Sequence, residues 1–153
     1  MDPLIRKSGI KDVVFGQDVV VVEPCNLYGC TIGDNTFIGP FVEIQRSVQI
    51  GGNCKIQSHT FICELVTIGQ QCFIGHGVMF INDLFKKNGP AKGDKNYWKE
   101  TILGDHVSVG SNSTIFPVNI CDNAVIGAGA VVTKDITVPG VYAGNPARLL
   151  RKF

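Results

Sequence analysis

Hydrophobic residues recur every six positions through most of this chain. The series begins at Val20 and, after the polar Asn26, continues to Phe80 through Ile32, Ile38, Ile44, Ile50, Ile56, Ile62, Ile68 and Ile74. It resumes at Leu103, Val109 and Ile115, shifts by one residue at Ile120, and then includes Ile126, Val132 and Val138. A period of six fits neither an α-helix, at 3.6, nor a single strand, at 2. It predicts a solenoid whose coils each place three short strands on the sides of a triangular prism.

A second column of small residues supports this interpretation. The residue four places after each aliphatic one is small or β-branched, at Cys30, Thr36, Val42, Val48, Cys54, Thr60, Val66, Cys72 and Val78. Because side chains alternate along a strand, both columns are expected to point inward and to fill the prism together. Eighteen hexads predict about six coils, and a column about 29 Å tall at the usual spacing of stacked strands.

The repeat also predicts how the single domain, residues 1–153, is organised. Leu103 follows Phe80 by 23 residues, which is 17 more than one hexad. The inserted residues include five lysines and the only tryptophan, Trp98, so we expect residues 84–101 to form an external loop. Long loops on a rigid scaffold often build binding sites. Residues 139–153 leave the repeat through Gly and Pro, and we expect a cap there, formed by a tail or a short helix.

Composition narrows the classes of partner. The net charge is +1 and 18% of the residues are charged, which gives no electrostatic reason to expect nucleic acid or an anionic membrane. No apolar run approaches the ~18 residues of a membrane span, and the N-terminus lacks the apolar core of a signal peptide. We therefore expect a cytoplasmic protein. The six cysteines contain no CxxC pair, which favours reduced structural thiols over a zinc site.

The C-terminal coils carry the first family resemblance. Residues 125–136 (VIGAGAVVTKDI), 142–148 (YAGNPAR) and 109–113 (VGSNS) resemble hexapeptide-repeat acetyltransferases, a family of left-handed parallel β-helices. We expect no metal, because the spacing of the histidines does not fit a zinc site. The resemblance implies acetyl-CoA as co-substrate and a homotrimer with its sites between protomers. It implies that the backbone N–H of Ser111 receives the oxyanion of the thioester. It also implies a coenzyme-binding set made of Gly110, Gly127, Ala128, Gly129, Lys134, Pro146 and Arg148.

A narrower resemblance concerns the acceptor. Residues 24–29 (PCNLYG), 38–45 (IGPFVEIQ), 57–62 (QSHTFI) and 75–83 (GHGVMFIND) are similar to nucleotide-linked amino-sugar N-acetyltransferases. Those enzymes acetylate UDP- or dTDP-linked amino sugars for surface polysaccharides. The resemblance implies that Asn82 orients the amino group and that Asp83 is a neighbouring polar contact.

The chemistry of the acceptor leaves alternatives open. Sugar O-acetyltransferases of this family carry a catalytic His where the long loop leaves the column, and Asn82-Asp83 stands there instead. A neutral amine needs positioning and oxyanion stabilisation more than it needs a base, which favours N-acetylation. O-acetylation with His76 as the base, and a non-catalytic scaffold, are the alternatives.

The remaining polar candidates lie outside the inward columns. His76 or His59 is a candidate to contact substrate or relay a proton, against a solvated position at a corner, and the two are expected to stack near one edge. Glu43 and Gln45 flank Ile44 and are candidates to reach a substrate groove, although solvated surface fits them as well. Zinc carbonic anhydrases share the hexad prism, but the three histidines are spaced by 17 and 30 residues, unlike the zinc-binding pattern of that class.

Overall fold

The computed structural model describes residues 3–153, so the first two residues of the predicted domain lie outside the described part of the chain. The chain winds into a three-sided parallel β-helix of about seven coils, whose short strands form sheets of seven, six and eight strands. The fold class predicted from the repeat and the resemblance is confirmed.

Three sheets, here called A, B and C, form the sides of the prism. Sheet A contains β1 (Ile10–Lys11), β4 (Asn26–Tyr28), β7 (Glu43–Ile44), β10 (Phe61–Ile62), β13 (Met79–Phe80), β16 (Thr114–Ile115) and β19 (Val131–Val132). Sheet B contains β2 (Val14–Phe15), β5 (Thr31–Ile32), β8 (Gln49–Ile50), β11 (Val66–Ile68), β14 (Thr101–Leu103) and β17 (Asn119–Ile120). Sheet C contains β3 (Val20–Val21), β6 (Phe37–Ile38), β9 (Lys55–Ile56), β12 (Phe73–Ile74), β15 (Ser108–Val109), β18 (Val125–Ile126), β20 (Gly140–Ala143) and β21 (Arg148–Lys152).

The core consists of the two predicted columns. The aliphatic residues from Ile32 to Phe80 are all buried, and each pairs with its counterpart one coil away, as Ile44 does with Ile62. All nine predicted small residues are buried as well. Cys54 and Cys72 fill the small position by donating through Sγ to carbonyls of the next coil, as the Thr36 hydroxyl does one coil earlier. A thiol therefore substitutes for a hydroxyl as a compact filler with one weak hydrogen bond.

Two parts of the predicted register are wrong, at the ends of the repeat. In the first coils the inward positions belong to Val21 and Leu27, which pair with Ile38 and Ile44, so Val20 and Asn26 face outward. The corner after Leu27 is one residue shorter than a hexad and turns through Gly29 at a φ of 60°. Such a tight left-handed turn suits a residue without a Cβ.

The C-terminal end shows the second register difference. Ile136 is buried and bridges to Ile120, whereas the predicted inward residue Val138 is exposed. The corner after Val132 is two residues shorter than in a regular hexad, so Ile136 takes the inward position that was predicted for Val138. Of the two predicted forms of the tail, the structure has an extended tail and not a helix. Strand β21 pairs antiparallel with β20, which gives the last strand of sheet C a hydrogen-bonded neighbour on its open side.

After β13 the N–H of Ile81 still donates to Ile115 O of the next coil, at 3.0 Å. The chain then leaves the stacked coils as an external loop that includes a short 3-10 helix, Lys95–Tyr97, and ends where Thr101 begins β14. Within residues 3–153, none of the helices has the length and hydropathy that crossing a membrane would require.

Candidate functional site

The functional candidates lie on two of the three edges of the prism. We call the corner residues that lead from sheet A to sheet B the A/B edge, and those that lead from sheet C to sheet A the C/A edge. Ser111 and His76 lie on the C/A edge, and Asn82 lies on the A/B edge. Sheet A lies between the two edges.

The C/A edge is a regular backbone ladder. At each corner the residue two places after the inward aliphatic offers its carbonyl to the coil above: Ser58 to Gly77 N–H, His76 to Asn112 N–H, and Ser111 to Gly129 N–H, at 2.8 to 3.0 Å. Ser58, His76 and Ser111 therefore stack on one another.

Ser111 has the property that its predicted role requires. Its backbone N–H has no acceptor among residues 3–153. The backbones of neighbouring coils pack closely around Ser111. A Cβ on Gly75 would lie 2.7 Å from Ser111 N, and a Cβ on Gly110 would collide with Ala128 N. A fixed, half-buried and unpaired N–H is the kind of donor that stabilises a developing oxyanion.

The two histidines share this edge but do not stack, contrary to the expectation. His59 lies beneath Gly77 and not beneath His76, because it is the third corner residue of its coil whereas His76 is the second. The ring of His59 stacks on Phe41, with centroids 4.8 Å apart. Both imidazoles are exposed.

The predicted coenzyme-binding residues fall into two groups. Gly127, Ala128 and Gly129 continue the C/A edge above Ser111, with Ala128 and Gly129 exposed. The turn containing Pro146 lies over the neighbouring Val131, whose N–H donates to Gly144 O at 3.0 Å. The cations lie elsewhere: Lys134 and Arg148 both line a hollow of about 280 Å³ at the C-terminal end of the column. Small residues for an extended chain and cations for phosphates are the groups that a coenzyme A molecule requires, so the residues present fit it.

On the A/B edge, Asn82 is held by its amide nitrogen. Its Nδ2 donates to Glu64 O at 3.1 Å, so Oδ1 is the atom left to accept a hydrogen bond from a ligand. Asp83 is engaged differently: its carboxylate accepts from Phe85 N–H at 2.9 Å and from Ala91 N–H at 2.6 Å. The structure therefore uses Asp83 to organise the external loop.

Glu43 and Gln45 belong to a polar ladder that runs along sheet A toward Asn82. Asn26 Nδ2 and Gln45 Nε2 both donate to the carboxylate of Glu43 at 3.2 Å, and Gln45 Oε1 accepts from Glu64 N–H at 3.3 Å. The ladder leaves these half-buried side chains ordered and on the same face. Burial, and then the charge of Glu43, raise the pKa of the Tyr28 hydroxyl, which stays protonated at neutral pH.

The sequence interpretation missed a basic hollow at the N-terminal end of the same edge. The hollow has a volume of about 770 Å³, and Asp12 is its only acidic lining residue among residues 3–153. Its basic lining residues are Arg6, Lys7, Lys11 and Arg46. Three of these lie in the weakly periodic N-terminal segment, where the repeat gave no guidance. Their clustering depends on β1 pairing with β4, which brings Lys11 next to Tyr28.

The remaining chemical groups are metal-ligating side chains and the thiol beside Glu64. Within residues 3–153, no three side chains of the His, Cys, Asp and Glu type are grouped so that they could hold a metal ion. Burial raises the pKa of the Cys63 thiol, the cysteine next to Glu64, to about 12. A thiol that is protonated at neutral pH is a poor nucleophile.

The two edges are matched in height but separated in space. Strand β13, which ends at the A/B corner of Asn82, is the fifth strand of sheet A, and β15, which ends at the corner of Ser111, is the fifth of sheet C. Six residues lead from the C/A corner at His76 to Asn82, a path of up to about 20 Å when extended. Within one chain, sheet A lies between the two corners.

Two protein-family models match the chain. A model described as bacterial transferase hexapeptide (six repeats) matches residues 29–64, and one described as hexapeptide repeat of succinyl-transferase matches residues 100–134. The interval between the matches, residues 65–99, contains all of the external loop except Glu100.

Curated proteins and solved structures are also similar to this chain. The bifunctional protein GlmU of Streptococcus pyogenes serotype M12 is 30% identical over 151 residues, which cover 97% of this chain but only 30% of GlmU. Among solved structures, AntD, an N-acyltransferase from Bacillus cereus in complex with dTDP and 3-hydroxybutyryl-CoA, has a TM-score of 0.78 at 23% identity, covering 94% of this chain and 84% of AntD. PerB from Caulobacter crescentus, in complex with CoA and GDP-perosamine, has a TM-score of 0.65 at 19% identity, with coverages of 94% and 58%.

The chain thus spans about a third of the length of its curated relative, and its likeness to the two solved structures is one of fold. The six-residue period and the two model matches show that the chain is built from the hexapeptide repeats that define this family of transferases.

Proposed function

We propose that this protein is an acetyl-CoA-dependent N-acetyltransferase acting on a nucleotide-linked amino sugar, UDP- or dTDP-linked, in surface polysaccharide synthesis. The observation that carries the proposal is the pairing of two unsatisfied groups at one height of the column. These are the backbone N–H of Ser111, a donor, and Oδ1 of Asn82, an acceptor. AntD and PerB, which share the fold, were solved with nucleotides or a nucleotide sugar together with CoA ligands.

The active site in this proposal lies between two copies of the chain. Ser111 and Asn82 lie on different edges of one prism, at the same coil level. A parallel ring of copies keeps that level and brings the C/A edge of one protomer against the A/B edge of the next. The homotrimer implied by the family resemblance has this arrangement, with three equivalent sites.

The chain supplies positioning and electrostatic stabilisation in this site. Acetyl-CoA supplies the thioester that the amine attacks, so that a C–N bond forms and the C–S bond breaks. Asn82 Oδ1 accepts a hydrogen bond from the amine N–H and thereby aims the nitrogen lone pair. Ser111 N–H donates to the carbonyl oxygen as negative charge develops there. The amine proton passes to the departing thiolate or to solvent, for which His76, one coil below Ser111, is the nearest candidate relay on that edge.

The basic hollow supports a phosphate-bearing acceptor. Arg46 lies on the same edge as Asn82, two coils below it, which is about 10 Å at the usual strand spacing. Lys11 lies two coils below Arg46. A nucleotide sugar placed along this edge, with its amine at Asn82, would have its diphosphate within reach of these cations.

Removal of the two best-placed cations tests this orientation. We expect Lys11→Met combined with Arg46→Met to raise the acceptor KM roughly tenfold or more and to leave the KM for acetyl-CoA unchanged, because charge-assisted contacts to phosphate are lost. Steady-state kinetics at two ionic strengths measures this. Lys55→Met is the matched control, since Lys55 is an exposed cation on sheet C. An unchanged acceptor KM in the double variant would contradict the orientation.

Asn82→Ala tests the aiming of the amine. We expect kcat to fall by one to two orders of magnitude, equivalent to roughly 1.4–2.7 kcal/mol of transition-state stabilisation, because the substrate amine loses its acceptor. Asn119→Ala, at an exposed position in β17, is the control. Unchanged kinetics for Asn82→Ala would remove this residue from the site.

Thiol release in the presence of acetyl-CoA and a panel of nucleotide sugars tests the function itself. Turnover on amino sugars but not on hydroxy sugars is the expected result. Turnover on hydroxyl acceptors, abolished by His76→Ala, would instead favour the O-acetyltransferase alternative. Failure to bind CoA in calorimetry would favour a scaffold. The proposal also places the protein in the cytoplasm, in agreement with its six free thiols.

A further inference from the structure

Glu64 contacts several residues of the A/B edge and one residue of the external loop. It lies on the A/B edge one coil below Asn82, and its side chain is only 12% exposed. Its carbonyl accepts from Asn82 Nδ2, and its N–H is held by Gln45 Oε1. Its carboxylate contacts Lys95 of the external loop through Oε2 and lies 3.8 Å from Arg46 Nε through Oε1.

The contact with Lys95 is a bond between the column and the middle of the loop. The two ends of the loop are fixed by Asp83 and by Lys99 N–H, which donates to Asn82 O at 3.0 Å. Lys95 lies in the 3-10 helix, 31 residues beyond Glu64, and its ammonium also lies 5.7 Å from the ring of Trp98. The Glu64 carboxylate is nearly buried, whereas the Lys95 side chain is 59% exposed, so the pair is charge-assisted but partly screened by solvent.

We propose that Glu64 is a positioning residue that sets the affinity for the acceptor. Its backbone holds the amide of Asn82, and its carboxylate latches the external loop, through Lys95, against the edge along which the acceptor lies. The inference rests on the proposed function, since it assigns Glu64 to the acceptor half of that site. The small coenzyme-binding residues, Gly127 to Gly129, lie on the C/A edge, and Lys134 and Arg148 lie at the C-terminal end of the column, so none of them contacts Glu64.

The latch predicts a specific division of kinetic effects. Glu64→Gln retains the backbone contacts to Asn82 and removes the charge that holds Lys95. We therefore expect about a tenfold rise in acceptor KM, a factor that corresponds to about 1.4 kcal/mol, with kcat and the KM for acetyl-CoA within about twofold of the parent. Lys95→Met is expected to have the same effect. The double variant is expected to be no worse than Glu64→Gln alone, because Glu64→Gln already breaks the interaction with Lys95 as well as the contact with Arg46.

Two further measurements separate a latch from a general loss of stability. Lys92→Met removes a lysine from the same loop outside the ion pair, and its acceptor KM is expected to equal that of the parent. Trp98 is the only tryptophan, so its emission reports the loop without any substrate. In Glu64→Gln we expect a red shift of Trp98 emission and greater quenching by acrylamide, with an unchanged unfolding midpoint.

The outcomes distinguish this inference from the proposed function. Normal acceptor KM and normal Trp98 quenching in Glu64→Gln, in a protein that acetylates amino sugars, would overturn the latch and leave the function standing. A KM effect in Lys92→Met equal to that in Lys95→Met would also overturn it, because loop charge alone would then be responsible. Altered Trp98 quenching in a protein without acetyltransferase activity would support the latch while the proposed function failed.

Discussion

Replacing Ser111 with proline is expected to lower kcat by two to three orders of magnitude while the chain still folds. Proline lacks the backbone N–H, and loss of one preorganised oxyanion donor typically has an effect of about this size. The corner itself accepts proline, since Pro40 occupies the equivalent second position of the C/A edge three coils below. The carbonyl of Pro40 accepts from His59 N–H as that of Ser111 accepts from Gly129 N–H.

Two controls make this experiment specific. Ser111→Ala retains the N–H and removes the hydroxyl, and it is expected to retain most of the activity. Ser58→Pro makes the same backbone change at a corner of the same edge without a proposed role. The measurement is kcat with saturating acetyl-CoA, together with circular dichroism to verify the β-helix. Full activity of a folded Ser111→Pro variant would show that this N–H does not hold the oxyanion.

Phe80→Ala is expected to cost about 3–5 kcal/mol of unfolding free energy, the usual range for truncating a buried phenylalanine. Phe80 is fully buried in the inward column of sheet A and pairs with Ile115 of the next coil. Since each coil of a solenoid contacts only its neighbours, the resulting cavity cannot be filled from elsewhere.

Urea unfolding at a fixed protein concentration measures this cost, because oligomerisation makes stability depend on concentration. Phe153→Ala is the matched control, as Phe153 is exposed at the end of β21 and its truncation should change stability by less than about 0.5 kcal/mol. A loss below about 1 kcal/mol for Phe80→Ala would contradict the packed prism.

The hexad period predicted the core well wherever the repeat is unbroken. From Ile32 to Phe80 every inward residue could be assigned, because a strand register that is wrong by one residue would expose the whole column. The prediction failed at Val20, Asn26 and Val138 because corners near both ends are shortened by one or two residues. Corner length depends on local turn geometry, which a fixed period ignores.

Only part of the candidate site could be predicted from the sequence. Motifs identified some of its residues, whereas the groups that those residues contact are determined by the fold. Counting hexads places Asn82 one corner beyond His76, so the sequence alone predicts that the two residues lie on different edges of the prism. Glu64 was missed although it stands 18 residues, one coil, before Asn82. Its contact with Lys95 depends on the path of a loop outside the repeat, and the basic hollow depends on an N-terminal segment with weak periodicity.

The central claim is that one copy supplies Ser111 and its neighbour supplies Asn82. Mixing two inactive variants, Asn82→Ala and Ser111→Pro, after dissociation and reassembly tests it most directly. With random assembly at equal amounts, about a quarter of the interfaces pair an intact Ser111 with an intact Asn82. The expected result is therefore recovery of roughly a quarter of the parent activity. Activity that stays at the level of the separate variants, in oligomers shown to have exchanged subunits, would contradict a site shared between copies.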